Sequence, residues 1–196
     1  MSRISEQSRV TAETNIRVRL DLDGAGQASI STGVGFFDHM LTLLAKHSGF
    51  DLQVNATGDL TVDPHHTVED IGIVLGDSLR DALGDRSGIR RYGTSHIPMD
   101  EALVRSVVDL SGRPFCHFSA TVRARRLGTF DTELVEDFLQ ALATHGRFAV
   151  HVDMIRGRNS HHIVEAVFKS LARSLGEAAG LTGSAGIPST KGTLTE

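Results

Sequence analysis

The sequence predicts an α/β (α+β) fold made by tandem duplication of two similar half-domains, each a mixed sheet with helices packed on one face. Three observations carry this expectation. The stretch "FFDHMLTLLAKHSGFDLQV", residues 36–54, returns as "LVEDFLQALATHGRFAVHV", residues 134–152, with His47 matching His145 and Phe50 matching Phe148. Each copy runs through a loop containing a glycine into His-His-x-x-Glu at the head of a second helical stretch. Strand-like runs precede each copy. A repeat of this kind is the mark of a duplicated supersecondary unit.

The elements follow in order. "NIRVRLDLDGAGQASIST" reads as strand with a turn at Asp23-Gly24. In "HMLTLLAKH" the leucines and methionine recur at three- and four-residue spacings, which predicts an amphipathic helix. "FDLQVNA" alternates apolar and polar residues, as a half-buried strand does. After Gly58 comes a helix beginning "HHTVEDIGIVLG". Residues 88–97 supply turn chemistry and mark the junction between the halves. The second half repeats the plan: strands in "ALVRSVVDLSGRPFCHFSA", a helix, the strand "FAVHVDM", a loop with Gly157, and the helix beginning "HHIVEAVFKSLA". The tail "GSAGIPSTKGTLTE" is rich in small residues and is expected to be irregular. The boundaries expected are 1–90 and 91–183 for the halves, with 184–196 as the tail.

Composition narrows the function. With 40% hydrophobic and 22% charged residues, the 196-residue chain is ordinary for a soluble globular protein. A net charge of −4 argues against a nucleic-acid or membrane-surface partner, which needs a broad basic face. An anionic ligand would have to be held by a local cluster of Arg and Lys. The single Cys116 cannot form an internal disulfide, the start lacks the apolar core of a signal peptide, and no apolar run is long enough to span a bilayer. A cytoplasmic location is the expectation. Ten histidines against one tyrosine and no tryptophan point to metal or proton chemistry, with their placement to decide.

Placement favours metal. On a helix, positions i and i+4 share a face, while neighbours point about 100° apart. His65 and Glu69 can therefore close on one ion, and so can His161 and Glu165, while His66 and His162 point elsewhere. Two such helices brought face to face would make two sites by exchange, each taking the chelating pair of one repeat and the odd histidine of the other. Imidazole plus carboxylate suits Mn²⁺, Fe²⁺ or Zn²⁺, and no thiolate is present to soften the site. One His-His-x-x-Glu segment is a weak signal, but two with matching flanks are a strong one. His47 and His145 also match each other, and equally suit a helix end.

Taken together, "GFFDHML", "HHTVEDIGIVLG", "MDEALVRSVVDLSGRP", "HHIVEAVFKSLA" and "IPSTKG" resemble the imidazoleglycerol-phosphate dehydratase family over essentially the whole chain, from about Val10 to Gly192. The resemblance implies a hydro-lyase of histidine biosynthesis that converts D-erythro-imidazole glycerol phosphate to imidazole-acetol phosphate and water. It also implies two Mn²⁺ per active site and a large homo-oligomeric cage, a 24-mer as in the family, with active sites between subunits. By motif, one metal would be held by His39, His66, His161 and Glu165, and the other by His65, Glu69, His162 and residue 137. The family often has histidine at position 137, where this chain has Asp137. Two readings stay open: the carboxylate ligates with harder character, or it stays off the metal and water or His145 takes its place.

The expected route starts with both ring nitrogens of the substrate on the two metals, giving an imidazolate that expels the neighbouring hydroxyl to form a diazafulvene. Loss of the next C–H then gives an enol and finally the ketone. Glu13 is the candidate acid/base, beside His65, Glu69, His161 and Glu165 as catalytic metal ligands. Substrate contacts are implied for Glu13, His39, His47, His65, Glu69 and His161. The phosphate is expected on Arg91, Arg113, Lys169, Ser189 and Lys191. Asp100 and Glu101 receive no role. Alternatives from other classes are a binuclear metal phosphohydrolase and a metal-storage cage.

Overall fold

The computed structural model describes residues 3–194. Its first half comprises β1 (Ile4–Val10), β2 (Thr14–Asp21), β3 (Ala28–Ser31), α1 (Gly35–Ser48), β4 (Asp51–Gly58) and α2 (His65–Leu83). The second half repeats this as β5 (Tyr92–Met99), β6 (Ala102–Asp109), β7 (Phe115–Ser119), α3 (Leu134–Gly146), β10 (Ala149–Arg156) and α4 (Ser160–Ala179). A small hairpin of β8 (Arg126–Leu127) and β9 (Phe130–Asp131) is inserted before α3. The two sheets have the same topology, β1-β2-β4-β3 and β5-β6-β10-β7. Each ends in a parallel pair, β3 with β4 and β7 with β10, joined by a crossover helix as parallel strands require.

Alternation decides which face of each sheet is covered. In β2, Ile16, Val18 and Leu20 are buried while Arg17 and Arg19 face out, and in β10 Val150 and Val152 are buried while His151 faces out. The helices lie between the sheets. α2 rests on β1 and β2, and α4 rests on β5 and β6. The helices then pair across the duplication: α2 runs along α3, and α1 along α4. Phe37 of α1 is fully buried against Phe138 of α3, Phe168 of α4 and Phe130 of β9, with ring centroids 5.2 to 6.4 Å apart, so both halves share one core. Close seating of α4 depends on Gly93 and Gly176. A Cβ at Gly93 would stand 2.0 Å from the Ser174 carbonyl oxygen, and one at Gly176 would stand 2.3 Å from that of Ser48.

The turn expected at Asp23-Gly24 is present, and it leads to a strand that is not β2's neighbour, because β4 lies between β2 and β3, as β10 lies between β6 and β7. Two strands of the four-stranded sheets stand where none was expected. β1 was not foreseen. Nor was β5, which occupies the junction expected to be turn. Both are edge strands with mostly exposed side chains, so they carry little apolar alternation. Within one chain the two His-His-x-x-Glu helices are partnered elsewhere, α2 by α3 and α4 by α1. The tail from Gly183 to Leu194 has neither helix nor strand.

Candidate metal centre

Each helix pair sets a His-Glu pair beside a side chain of the other half, and among the described residues the donors of all three converge on α1 and α4 only. On α4, His161 Nε2 lies 3.1 Å from Glu165 Oε2, the i, i+4 contact that the spacing requires. His39 Nε2 of α1 approaches the same oxygen at 3.5 Å. One donor atom from each of the three residues lies within 4.8 Å of the others. That cluster fits a borderline divalent cation: two imidazole nitrogens and one carboxylate oxygen converge with no thiolate. On α2, His65 Nε2 lies 3.8 Å from Glu69 Oε2, and Asp137 Oδ2 of α3 lies 3.6 Å from His65 Nδ1. Position 137 is thus the counterpart of His39, but Asp137 and Glu69 approach opposite nitrogens of the His65 ring, so these three donors do not converge as the first three do.

Local structure sets these positions. Asp38 Oδ1 accepts from the Thr32 N–H and hydroxyl at 2.9 and 2.6 Å, which fixes the first turn of α1 beside His39. Asn159 caps α4, its Oδ1 accepting from the His161 and His162 backbone N–H groups. Phe36 packs its ring edge-on to His161, with centroids 5.3 Å apart. Glu165 is nearly inaccessible. Burial opposes its ionisation, but the Lys169 ammonium 2.5 Å from Oε1, with His161 and His39 on Oε2, outweighs burial and holds the carboxyl below the usual range. Glu69 has no such cation one turn on, since position 73 is Ile73.

The second histidine of each doublet stands apart. The rings of His65 and His66 are 82° from coplanar, and those of His161 and His162 are 90°. His66 Nδ1 meets Asp59 Oδ2 at 3.0 Å and lies 3.8 Å from Glu13 Oε2. His162 Nδ1 meets Glu101 Oε2 at 2.8 Å. Asp59 raises the pKa of His66, and Glu101 raises that of His162. Glu101 itself is brought down to about 2, chiefly by the Asn159 N–H, then by His162 and the Arg158 N–H. The exchange read from the sequence therefore takes a different form within one chain. The residues brought in from the other half are His39 and Asp137, and neither odd histidine lies in either group.

The remaining expected residues divide by environment. Lys169 reaches Glu165 and, at 3.7 Å, Met99 Sδ. Arg91 is occupied by its own chain, bonding both oxygens of Asp109 and donating to the Pro188 carbonyl at 2.9 Å; it anchors the tail that carries Ser189 and Lys191. Lys191 and Arg113 are exposed, and Ser189 is half-buried. His47 faces α4, where burial, then Lys169 and Arg173, lower its pKa. Its counterpart His145 instead meets Asp77 of α2 at 3.4 Å. Asp59 was missed, and Glu101 was seen without a role. Nothing in sequence spacing connects either to a histidine on a later helix.

The comparisons with known proteins agree with one another. The family model described as imidazoleglycerol-phosphate dehydratase matches residues 32–175. The chain belongs to the imidazoleglycerol-phosphate dehydratase family. The family's curated relatives include the enzyme of Exiguobacterium, 55% identical over 97% of both chains. That of Cereibacter sphaeroides is 57% identical over 98% of this chain and all of its own. The crystal structure of the Staphylococcus aureus enzyme superposes with a TM-score of 0.84 at 45% identity, covering 91% of this chain and 99% of that one. The Pyrococcus furiosus enzyme gives 0.83 at 38% identity, covering 95% and 99%. The chain is accordingly a lyase of histidine biosynthesis that acts on a small phosphorylated substrate, and the phosphohydrolase alternative finds no support. Among the described residues no helix is long and apolar enough to cross a membrane.

Proposed function

We propose that the dehydration of D-erythro-imidazole glycerol phosphate to imidazole-acetol phosphate takes place between subunits of a homo-oligomeric cage, a 24-mer as in the family, on two Mn²⁺ ions. The observation that carries this reading is the convergent His39, His161 and Glu165 trio, with His65, Glu69 and Asp137 in the matching place, together with the odd histidines excluded from both. His39, His161 and Glu165 would hold one ion and are completed by His66 of another copy. His65, Glu69 and Asp137 would hold the other and are completed by His162 of another copy. A site that one chain leaves three-quarters built requires assembly. The ligand reading for Asp137 requires its side chain or the His65 ring to turn, because Asp137 lies 3.6 Å from Nδ1 and Glu69 3.8 Å from Nε2; as a ligand it would give its ion a harder donor set than the His39 trio offers.

Bound there, Mn²⁺ would supply Lewis acidity that favours loss of the imidazole N–H. The chain's own residues do the rest. His39, His47, His65, Glu69 and His161 surround the ring. Lys169, Arg113, Ser189 and Lys191 supply cations and donors for the phosphate, with Arg91 holding the tail in reach. Glu13 is half-exposed beside His66 and serves as the acid/base. It takes the proton from the carbon next to the one that loses hydroxide and returns it to the ring, while the proton lost from the ring N–H leaves with the hydroxide as water. The resulting enol then tautomerises to the ketone. The test is to give Mn²⁺-loaded protein imidazole glycerol phosphate and identify the product. The ketone supports the reading, while inorganic phosphate or no reaction refutes it. Glu13→Gln should lose turnover while keeping its metal; full turnover with metal bound would remove Glu13 from the mechanism.

A further inference from the structure

The two halves of the chain equip their odd histidines in the same way but from different places. β2 and β6 hold the same position in their sheets: Ile16 pairs with Ala56 of β4, and Val104 with Met154 of β10. Three residues before these stand Glu13 and Glu101, which are therefore counterparts. Their surroundings differ. Glu101 sits in the two-residue turn between β5 and β6, where Asp100 takes φ +48°, and its carboxylate swings onto the start of α4. Oε1 accepts from the Arg158 N–H at 3.0 Å and the Asn159 N–H at 2.6 Å, while Oε2 meets His162 Nδ1 at 2.8 Å. Both oxygens are committed. In the first half Asp59 occupies the Nδ1 side of His66 at 3.0 Å, and Glu13 is left at 3.8 Å, beyond hydrogen-bond distance.

We infer that Glu101 is a positioning residue for His162, fixing its tautomer so that Nε2 is the nitrogen offered to a cation, and that Asp59 does the same for His66, which frees Glu13 for proton transfer. An acceptor at Nδ1 keeps the ring hydrogen there, and the neutral imidazole then has its lone pair at Nε2. The duplication has kept the carboxylate on Nδ1 while changing its source. That change explains why, of two counterpart glutamates, one stays uncommitted at the site and the other does not. The inference rests on the proposed role of His162 as a metal ligand.

Glu101→Gln separates positioning from mere support of the loop before α4. The amide oxygen still accepts from the Arg158 and Asn159 N–H groups, because the amide NH₂ cannot face two donors. The NH₂ then points at His162 Nδ1 and forces the hydrogen onto Nε2. Mn²⁺ binding to the full-length protein is measured by the electron paramagnetic resonance of free Mn²⁺, beside melting in EDTA and oligomer size. Glu101→Gln should melt like the parent in EDTA yet bind roughly ten- to a hundredfold more weakly at one class of site, with turnover recovered at raised Mn²⁺. His162→Ala should weaken the same class. If His162→Ala weakens binding and Glu101→Gln leaves it unchanged, the positioning role is wrong and the ligand reading stands. If His162→Ala leaves binding unchanged, the ligand reading fails first. Early melting of Glu101→Gln in EDTA would make Glu101 a loop clamp and overturn the inference.

Discussion

Replacing Lys169 with methionine tests how the buried carboxylate of the His39 trio is neutralised. Lys169 and Glu165 are 18% and 8% exposed and 2.5 Å apart, on one face of α4. Removing one partner of a buried pair costs about 3–5 kcal/mol, because the other charge is left without compensation. Here the cost is reduced, since Glu165 Oε2 keeps His161 at 3.1 Å and His39 at 3.5 Å. A loss of about 2 kcal/mol is expected for the metal-free protein. For a chain of this length that is a fall in melting temperature of about 4–8 °C. A cation on the trio takes over the neutralising role of the ammonium, so saturating Mn²⁺ should reduce the deficit by half or more. Differential scanning calorimetry of parent and Lys169→Met at one protein concentration, in EDTA and in Mn²⁺, reads both numbers. Equal melting in EDTA would show that the ion pair carries no stability. A deficit unchanged by Mn²⁺ would show that no cation binds at Glu165.

Other perturbations probe the scaffold. Gly176→Ala should lower the denaturant midpoint by an amount worth about 1–3 kcal/mol, since its Cβ meets the Ser48 carbonyl. Gly35→Ala, in the first turn of α1 with nothing within 4 Å, should not lower the midpoint and is expected to raise it by an amount worth up to about 1 kcal/mol. Arg86 is buried and donates to the carbonyls of Leu110, Gly146, Arg147 and Leu194, so Arg86→Met should expose the tail to limited proteolysis well before the rest of the chain. Asp51 Oδ1 accepts from the Ala25 and Gln27 N–H groups, and the Gln27 and Ala25 bonds lower its pKa from 3.8. A lowered carboxyl pKa contributes stability above its unfolded value and loses it on acidification. The stability gap between parent and Asp51→Ala, followed by urea unfolding against pH, should therefore be full at neutral pH and close below about pH 4.

The sequence by itself determined the duplication and the His-Glu pairs. Both are local: a shared apolar rhythm places α1 and α3, and four-residue spacing on a helix puts His161 beside Glu165 wherever that helix lies. The edge strands β1 and β5 left no such mark, because a strand with few buried side chains has little alternation to read. The tertiary structure decided which residues complete each pair. Helix periodicity sets the direction of a side chain about its own axis and says nothing of the neighbour it meets. Only the pairing of α1 with α4 and of α3 with α2 brings His39 to Glu165 and Asp137 to His65, and turns His66 and His162 toward Asp59 and Glu101.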